Sequence, residues 1–373
     1  MSSNSQRWIA DRMQGIESSG IRKAFEMAKG MVDPIDLSIG LPDFDVHESA
    51  KAAAIAAIEA KRNGYTLTQG IPELREKLQA QVRRDLGQDR QVMITSGTGG
   101  ALTLAICATV NPGEEVIVFD PYFVMYGNLI ALAGGKTVLV DTYPHFRIDP
   151  NRIAAAITPK TKAVIVNSPC NPTGAVATAE ELRGLAEVCQ RRGVLLISDE
   201  VYRAFLHHGG DFVSPAKFNE ETLVVDGFSK SHAMTGWRLG FAHGPVPLLQ
   251  EMAKLQQFSF ICAPSLVQHA GIAALDADLS EQQAIYRRRR DKVVAALSDL
   301  YELPSPDGAF YAFPKAPWGT ATEFVAEAIR NKLLIIPGNV FSKRDSHFRI
   351  SYAVDDAVLD RGLEVLRRIA RRP

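Results

Sequence analysis

The stretch Phe228-Ser229-Lys230-Ser231-His232-Ala233-Met234-Thr235-Gly236-Trp237-Arg238-Leu239-Gly240 decides how this chain is read. It sets a lysine just past the apolar run Thr222-Leu223-Val224-Val225, with hydroxyls on both sides and an arginine eight residues on. A lysine where the chain leaves a sheet is suited to attack an aldehyde. Ser229 and Arg238 suit a phosphate dianion, because the planar guanidinium fork matches phosphate oxygens. Any one such residue is more often a solvated surface charge. The reading gains its force from four further segments that supply the remaining contacts of a single ligand.

Working outward, short apolar runs alternate with helical patterns through the middle of the chain. That is the pattern of an α/β sheet with helices on both faces. Strands are predicted at Gln91–Ile94, Glu115–Phe119, Thr137–Val140, Ala163–Asn167, Val194–Ser198, Thr222–Asp226 and Leu239–His243. Helices are predicted at 99–110, 123–133, 151–157 and 179–192, the last opening at Thr178 with Glu181 as a capping box and stopping at Gly193. Beyond residue 280 the pattern changes to a long helix (279–301), Gly308–Phe313, a helix at 321–331, Leu334–Ile336, a strand at His347–Tyr352 and a final helix at 355–371. This reads as a smaller α+β unit, and Ile35–Gly40 packs with it for want of another sheet partner. The expected division is a large domain at 46–280 and a small domain from 1–45 and 281–373, with a cleft between them.

Composition narrows the field. A chain of 373 residues is long enough for one large and one small domain, and 46% hydrophobic with 23% charged residues is ordinary for a globular protein. Forty-two basic residues balance 42 acidic ones, so no net field draws the chain to nucleic acid or anionic lipid. Arg287-Arg288-Arg289-Arg290 reads as a solvated helix face, and His207-His208 as surface loop rather than metal ligands. Cys107, Cys170, Cys189 and Cys262 form no CxxC pair, which argues against a zinc site and a disulfide framework. With no apolar signal core and no membrane-length apolar run, a cytoplasmic protein is expected.

The remaining segments sit at strand ends. Thr95-Ser96-Gly97-Thr98-Gly99-Gly100-Ala101-Leu102, between a strand and a helix, can bring backbone N–H groups to a phosphate at a helix N-terminus. It imitates a dinucleotide fingerprint, with Asp120 ending the next strand, but the third glycine falls on Leu102. Phe123, in Asp120-Pro121-Tyr122-Phe123, can stack on a planar ring, although a core aromatic is the commoner use. Asn171, in the turn-rich Asn167-Ser168-Pro169-Cys170-Asn171-Pro172-Thr173-Gly174, can point its amide at a phenolic oxygen. Asp199, closing a buried strand, needs a cationic partner, and Tyr202 follows three residues on. Arg349, on an alternating strand, can bind an α-carboxylate bidentately if it faces inward. Aldehyde, phosphate, protonated pyridine nitrogen and phenolic oxygen together describe pyridoxal 5'-phosphate.

As an ordered set these segments closely resemble the class I/II, fold-type I, pyridoxal-phosphate-dependent aminotransferases. The flavour is that of the prokaryotic aspartate and aromatic amino-acid enzymes. The likeness runs from Gly20-Ile21-Arg22-Lys23 and Ile39-Gly40-Leu41-Pro42-Asp43-Phe44, through Gly64-Tyr65-Thr66 and Gly70-Ile71-Pro72-Glu73-Leu74-Arg75, to Pro337-Gly338-Asn339 and Arg349. It implies a seven-stranded, mostly parallel sheet between helices, plus a smaller α+β domain. It also implies that Lys230 forms the imine and carries the proton, that Asp199 pairs with the pyridine nitrogen, and that Asn171 and Tyr202 contact the phenolic oxygen. Phe123 would stack, while Arg349 and the Gly40 backbone would hold the substrate carboxylate. Thr98, Gly99, Ser229, Arg238 and Tyr65 of a neighbouring subunit would hold the phosphate, which makes a homodimer the expected unit. Where some relatives carry a hydroxyl three residues before the lysine, this chain has Gly227.

The implied reaction is ping-pong transamination between an L-amino acid and a 2-oxo acid, with glutamate and 2-oxoglutarate as the default pair and no metal. The side-chain preference stays open. Arg22 is a candidate second cation for an acidic substrate, and Ile16, Ile39 and Phe260 are candidate apolar lining for an aromatic one. Two rivals remain: other chemistry on the same scaffold, such as a cysteine-conjugate β-lyase or a cyclopropane-forming synthase, and a non-catalytic ligand-sensing domain. The chain offers no basic arm or helix-turn-helix to support the second.

Overall fold

A computed structural model describes residues 7–16, Gly20 and 31–371. Apolar alternation builds the strands in chain order. They are β1 (Ile35–Asp36), β2 (Gln91–Ser96), β3 (Glu115–Asp120), β4 (Lys136–Asp141), β5 (Thr161–Asn167), β6 (Leu195–Asp199), β7 (Leu223–Gly227), β8 (Leu239–Gly244), β9 (Tyr311–Ala312), β10 (Leu333–Leu334), β11 (Ile336–Pro337) and β12 (Phe348–Ser351). The large sheet has seven strands in the order β2-β8-β7-β6-β5-β3-β4. β8 runs antiparallel to both its neighbours and the other pairs are parallel.

Burial on both faces explains the near-continuous apolar strands. Val116, Val118, Ala163 and Ile165 pack on one side with the helices Gly97–Thr109 and Val246–Ser259. Ile117, Val164 and Val166 pack on the other with the helix Ala179–Arg192. That helix opens with the Thr178/Glu181 capping box and ends at Gly193 in the left-handed conformation, φ 63°. Because the central strands are parallel, their carboxyl ends fall on one edge. The turns bearing Asp120, Asn167 and Asp199 therefore converge there.

The smaller domain joins the antiparallel set β11-β12-β9 to helices Ser280–Leu297, Ala321–Arg330 and Asp356–Ile369. β1 pairs in parallel with β10, and Ile35 and Leu37 enter the core of Phe324, Leu333 and Leu359. Strand alternation puts Phe348 and Ile350 in that core, which turns Arg349 to the opposite side.

Three expectations need correction. Arg289 is not on a solvated face: it is buried and pairs with Asp43 and Asp356, both at 2.7 Å, tying the long helix to the N-terminal segment. His207 is not surface: its ring is buried, with Nε2 2.7 Å from the Ala309 carbonyl and 3.1 Å from the Tyr352 hydroxyl. Phe260 follows its helix at the surface, 45% exposed, and does not line the cleft. Each error comes from a contact distant in sequence or from a helix ending. Among the described residues no helix is long and apolar enough to cross a membrane.

Candidate active site

At the carboxyl edge of the large sheet lies a cleft of ≈ 740 Å³. It is lined by Gly40, Thr98, Gly99, Phe123, Asn171, Asp199, Tyr202, Ser229, Lys230, Arg238 and Arg349, all expected from the sequence. Tyr65 stands 81% exposed, away from the cleft of its own chain, and Arg22 lies outside the described residues.

One end of the cleft is the first turn of the helix Gly97–Thr109. Its leading N–H groups have no partner in the helix, so this turn suits an anion. Arg238 crosses the turn, its guanidinium lying against Gly97, whose φ of 69° is in the left-handed region that favours glycine. The Thr98 hydroxyl is buried there with no hydrogen-bond partner among the described residues. A Cβ on Gly227 would meet that same hydroxyl at 2.9 Å, so the threonine fills the space that a side chain three residues before the lysine would need.

Asp199 ends β6 and is buried, accepting a 2.7 Å hydrogen bond from the Tyr126 hydroxyl and a longer one from the Val201 N–H. Burial pushes its carboxyl up to about 6, against the opposing effects of Tyr126, Val201 and Lys230. Lys230 donates to the Gly40 carbonyl at 2.7 Å. Burial, then the charges of Arg349 and Arg238, push its amine down to about 8, while Asp199 acts the other way. An amine so lowered is partly neutral near pH 7 and hence nucleophilic.

Arg349 is 1% exposed and donates to Asn171 Oδ1 at 2.9 Å and to the Ser38 carbonyl at 2.7 Å. Among the described residues its Nε has no partner, and its guanidinium lies over the rings of both Tyr311 and Phe341. Tyr311 also bonds the Tyr202 hydroxyl at 2.9 Å. A Cβ on Gly40 would fall 2.0 Å from the Tyr311 hydroxyl, so this position admits glycine alone. The cleft thus presents an anion cradle, a buried carboxylate, a nucleophilic amine and a forked cation.

The family profile described as Aminotransferase class I and II matches residues 32–366. The chain belongs to the class I and II aminotransferases. It is 34% identical to a probable aspartate aminotransferase of Methanocaldococcus jannaschii, covering 97% of this chain and 99% of that one. It is 40% identical to an aspartate/prephenate aminotransferase of Cereibacter sphaeroides, covering 90% and 91%. Among solved structures it is similar to the aspartate aminotransferase of Thermus thermophilus with maleate, at TM-score 0.93 and 36% identity over 97% of this chain and 99% of that chain.

This aminotransferase shows three cleft neighbours that sequence reading missed. Tyr126 bonds Asp199 and sits edge-on to the ring of Phe123, 5.8 Å between centroids, one turn after it in the chain. Tyr311 and Phe341 both set their rings against the Arg349 guanidinium. No local pattern marks them: β9, which carries Tyr311, pairs with β12 from the far side of the helix Ala321–Arg330, and Phe341 lies in the irregular connection between β11 and β12.

Proposed function

We propose that this aminotransferase binds pyridoxal 5'-phosphate in the cleft and moves an amino group between an L-amino acid, of aspartate or aromatic type, and a 2-oxo acid, with glutamate and 2-oxoglutarate as the default pair. The observation that carries this is the lowered amine of Lys230 in one cleft with a buried acid and a forked cation. The residues fit the cofactor: the leading N–H groups of the helix turn at Gly97, with Arg238 across it, suit its phosphate, and buried Asp199 has no ion-pair partner among the described residues. When bound, pyridoxal phosphate supplies the electron sink that makes the substrate Cα–H acidic.

The chain's own residues do the rest. Thr98, Gly99, Ser229 and Arg238 hold the phosphate. Asp199, steadied by Tyr126, keeps the pyridine nitrogen protonated. Asn171 and Tyr202 would contact the phenolic oxygen, and Phe123 would stack on the ring. Arg349, with the Gly40 backbone, holds the α-carboxylate and so aims the Cα–H at Lys230. Lys230 takes that proton as a general base and returns it on the other side of the exchange. Two half-reactions follow: one amino acid leaves as its 2-oxo acid, and a second 2-oxo acid leaves as its amino acid.

Ile16, Ile39 and Leu41 also line the cleft, and among the described residues its cations are Lys230, Arg238 and Arg349, all engaged above. That wall supports the aromatic half of the proposed range. The large domain is taken as 46–280 and the small domain as 1–45 with 281–373. Four free cysteines suit a reducing cytoplasm. A homodimer is supported by exposed Tyr65, Leu67 and Phe258 on two segments joined by the Gln256 amide bonding the Thr68 carbonyl at 2.5 Å. Mixing Lys230→Ala with Tyr65→Ala subunits then restores activity that neither has alone; no recovery would place Tyr65 outside the partner's site. Borohydride reduction of the loaded protein, followed by peptide mass analysis, tests the cofactor assignment. The phosphopyridoxyl mass belongs on the Lys230 peptide, and its appearance elsewhere refutes the assignment.

A further inference from the structure

The carboxylate end of the cleft is not held by the small domain alone. Arg349 has its guanidinium carbon 4.6 Å from the Tyr311 ring centre and 4.8 Å from that of Phe341. Phe341 begins a turn, 341–344, that is fastened to the ends of two large-domain strands. The Tyr122 N–H donates to the Phe341 carbonyl at 2.9 Å. The carboxyl of Asp120, at the end of β3, lies close to Ser342 and Lys343 of the same turn. Arg344 pairs with Asp141 and lies 4.5 Å over the Tyr143 ring. Asp120 and Asp141 are register partners at the ends of β3 and β4. His347 adds a further contact, stacked on Phe313 at 5.3 Å and edge-on to Tyr143 at 5.0 Å.

The geometry points to Arg344 as a positioning residue for the substrate carboxylate: with Asp141 and Tyr143 it pins the turn that carries Phe341, and so fixes the face of the Arg349 guanidinium. The inference rests on the reading of Arg349 as the α-carboxylate anchor. Nothing about Arg344 touches the reacting atoms. Its side chain is 49% exposed and that of Asp141 43%, so the pair contributes little to folding and its loss leaves the protein intact. What it does contribute is placement, and a bidentate fork loses much of its value when moved by about an ångström. The same link joins the two domains, so it also sets how the small-domain wall meets the large one.

The test uses the loaded enzyme and the variants Arg344→Ala, Asp141→Asn and the charge-swapped pair Arg344→Asp with Asp141→Arg. Each single variant is expected to raise KM for both the amino acid and the 2-oxo acid by about three- to tenfold, with kcat within about twofold of the parent. The swapped pair regains most of the loss. Single-turnover reaction with a primary amine that lacks a carboxylate stays at the parental rate, which a general structural defect would not allow. Unchanged KM values in both single variants, or an equal loss with the carboxylate-free amine, overturn the assignment. Arg349→Lys run in parallel separates the two readings. If it raises KM while Arg344→Ala does not, the clamp alone falls; if it leaves KM unchanged, the anchor falls and the clamp with it.

Discussion

Lys230 and Arg349 line one cleft as cations, and burial acts on both, yet the fold puts them to different uses. Lys230 donates to the Gly40 carbonyl, and its amine is brought down to about 8 by burial and by neighbouring positive charge. Arg349 is lowered by burial too, but a guanidinium starts so far above neutrality that it stays charged. It is held by two oxygens and lies over two aromatic rings. The same loss of solvation thus makes a titratable nucleophile from an ammonium and a fixed anchor from a guanidinium.

The comparison breaks first at Lys230. Lys230→Ala is expected to lower turnover by more than about a thousandfold, since nucleophile and general base go together. Its thermal unfolding midpoint should stay close to the parent's, because the side chain packs little of the core. Arg349→Lys keeps the charge and removes the fork. Loss of charge-assisted bonds of about 1.5–3 kcal/mol predicts a rise in KM of roughly ten- to a hundredfold, read in steady-state kinetics.

The contrast sharpens with pH. In the cofactor-free protein only the neutral Lys230 amine attacks an aldehyde, and its fraction grows about tenfold per pH unit below the folded pKa. The rate at which added pyridoxal phosphate develops its visible band should therefore climb up to about pH 8 and then level off. A rate still climbing through pH 10 would mark an ordinary lysine. The smallest effect belongs to Tyr126→Phe. It removes one bond to Asp199, of about 0.5–1.5 kcal/mol, so kcat/KM should fall roughly two- to tenfold. With that bond gone, the Asp199 carboxyl moves further up from about 6. A pH titration of the cofactor-free parent and variant reads this, as an upward shift of the Asp199 carboxyl in the variant.

The large-domain wall was legible in sequence because its chemistry sits at strand ends. Asp199, Asn171 and Lys230 each follow an apolar run, and a parallel sheet sends all those ends to one edge whatever the loops do. The glycines at Gly97 and Gly99 were legible for the same reason, as a strand-to-helix turn. The small-domain wall was less so. Arg349 could be named, but its direction depended on which face of β12 met the core, and Tyr311 and Phe341 carry no local mark. Arg289 and His207 went astray in the same way: their partners, Asp43 and Ala309, are 246 and 102 residues distant. Local chemistry at element ends reads out directly, whereas burial of a polar residue by a remote segment does not.

The central claim, that Lys230 and Arg349 serve one transamination cleft, is tested most directly by absorbance. The purified protein is loaded with pyridoxal phosphate, and a single amino acid is added with no 2-oxo acid present. The account predicts a visible band that moves into the near ultraviolet on adding glutamate, or an aromatic amino acid, and returns when a 2-oxo acid follows. A stable visible band that no amino acid shifts would contradict it, leaving a protein that binds the cofactor without exchanging amino groups.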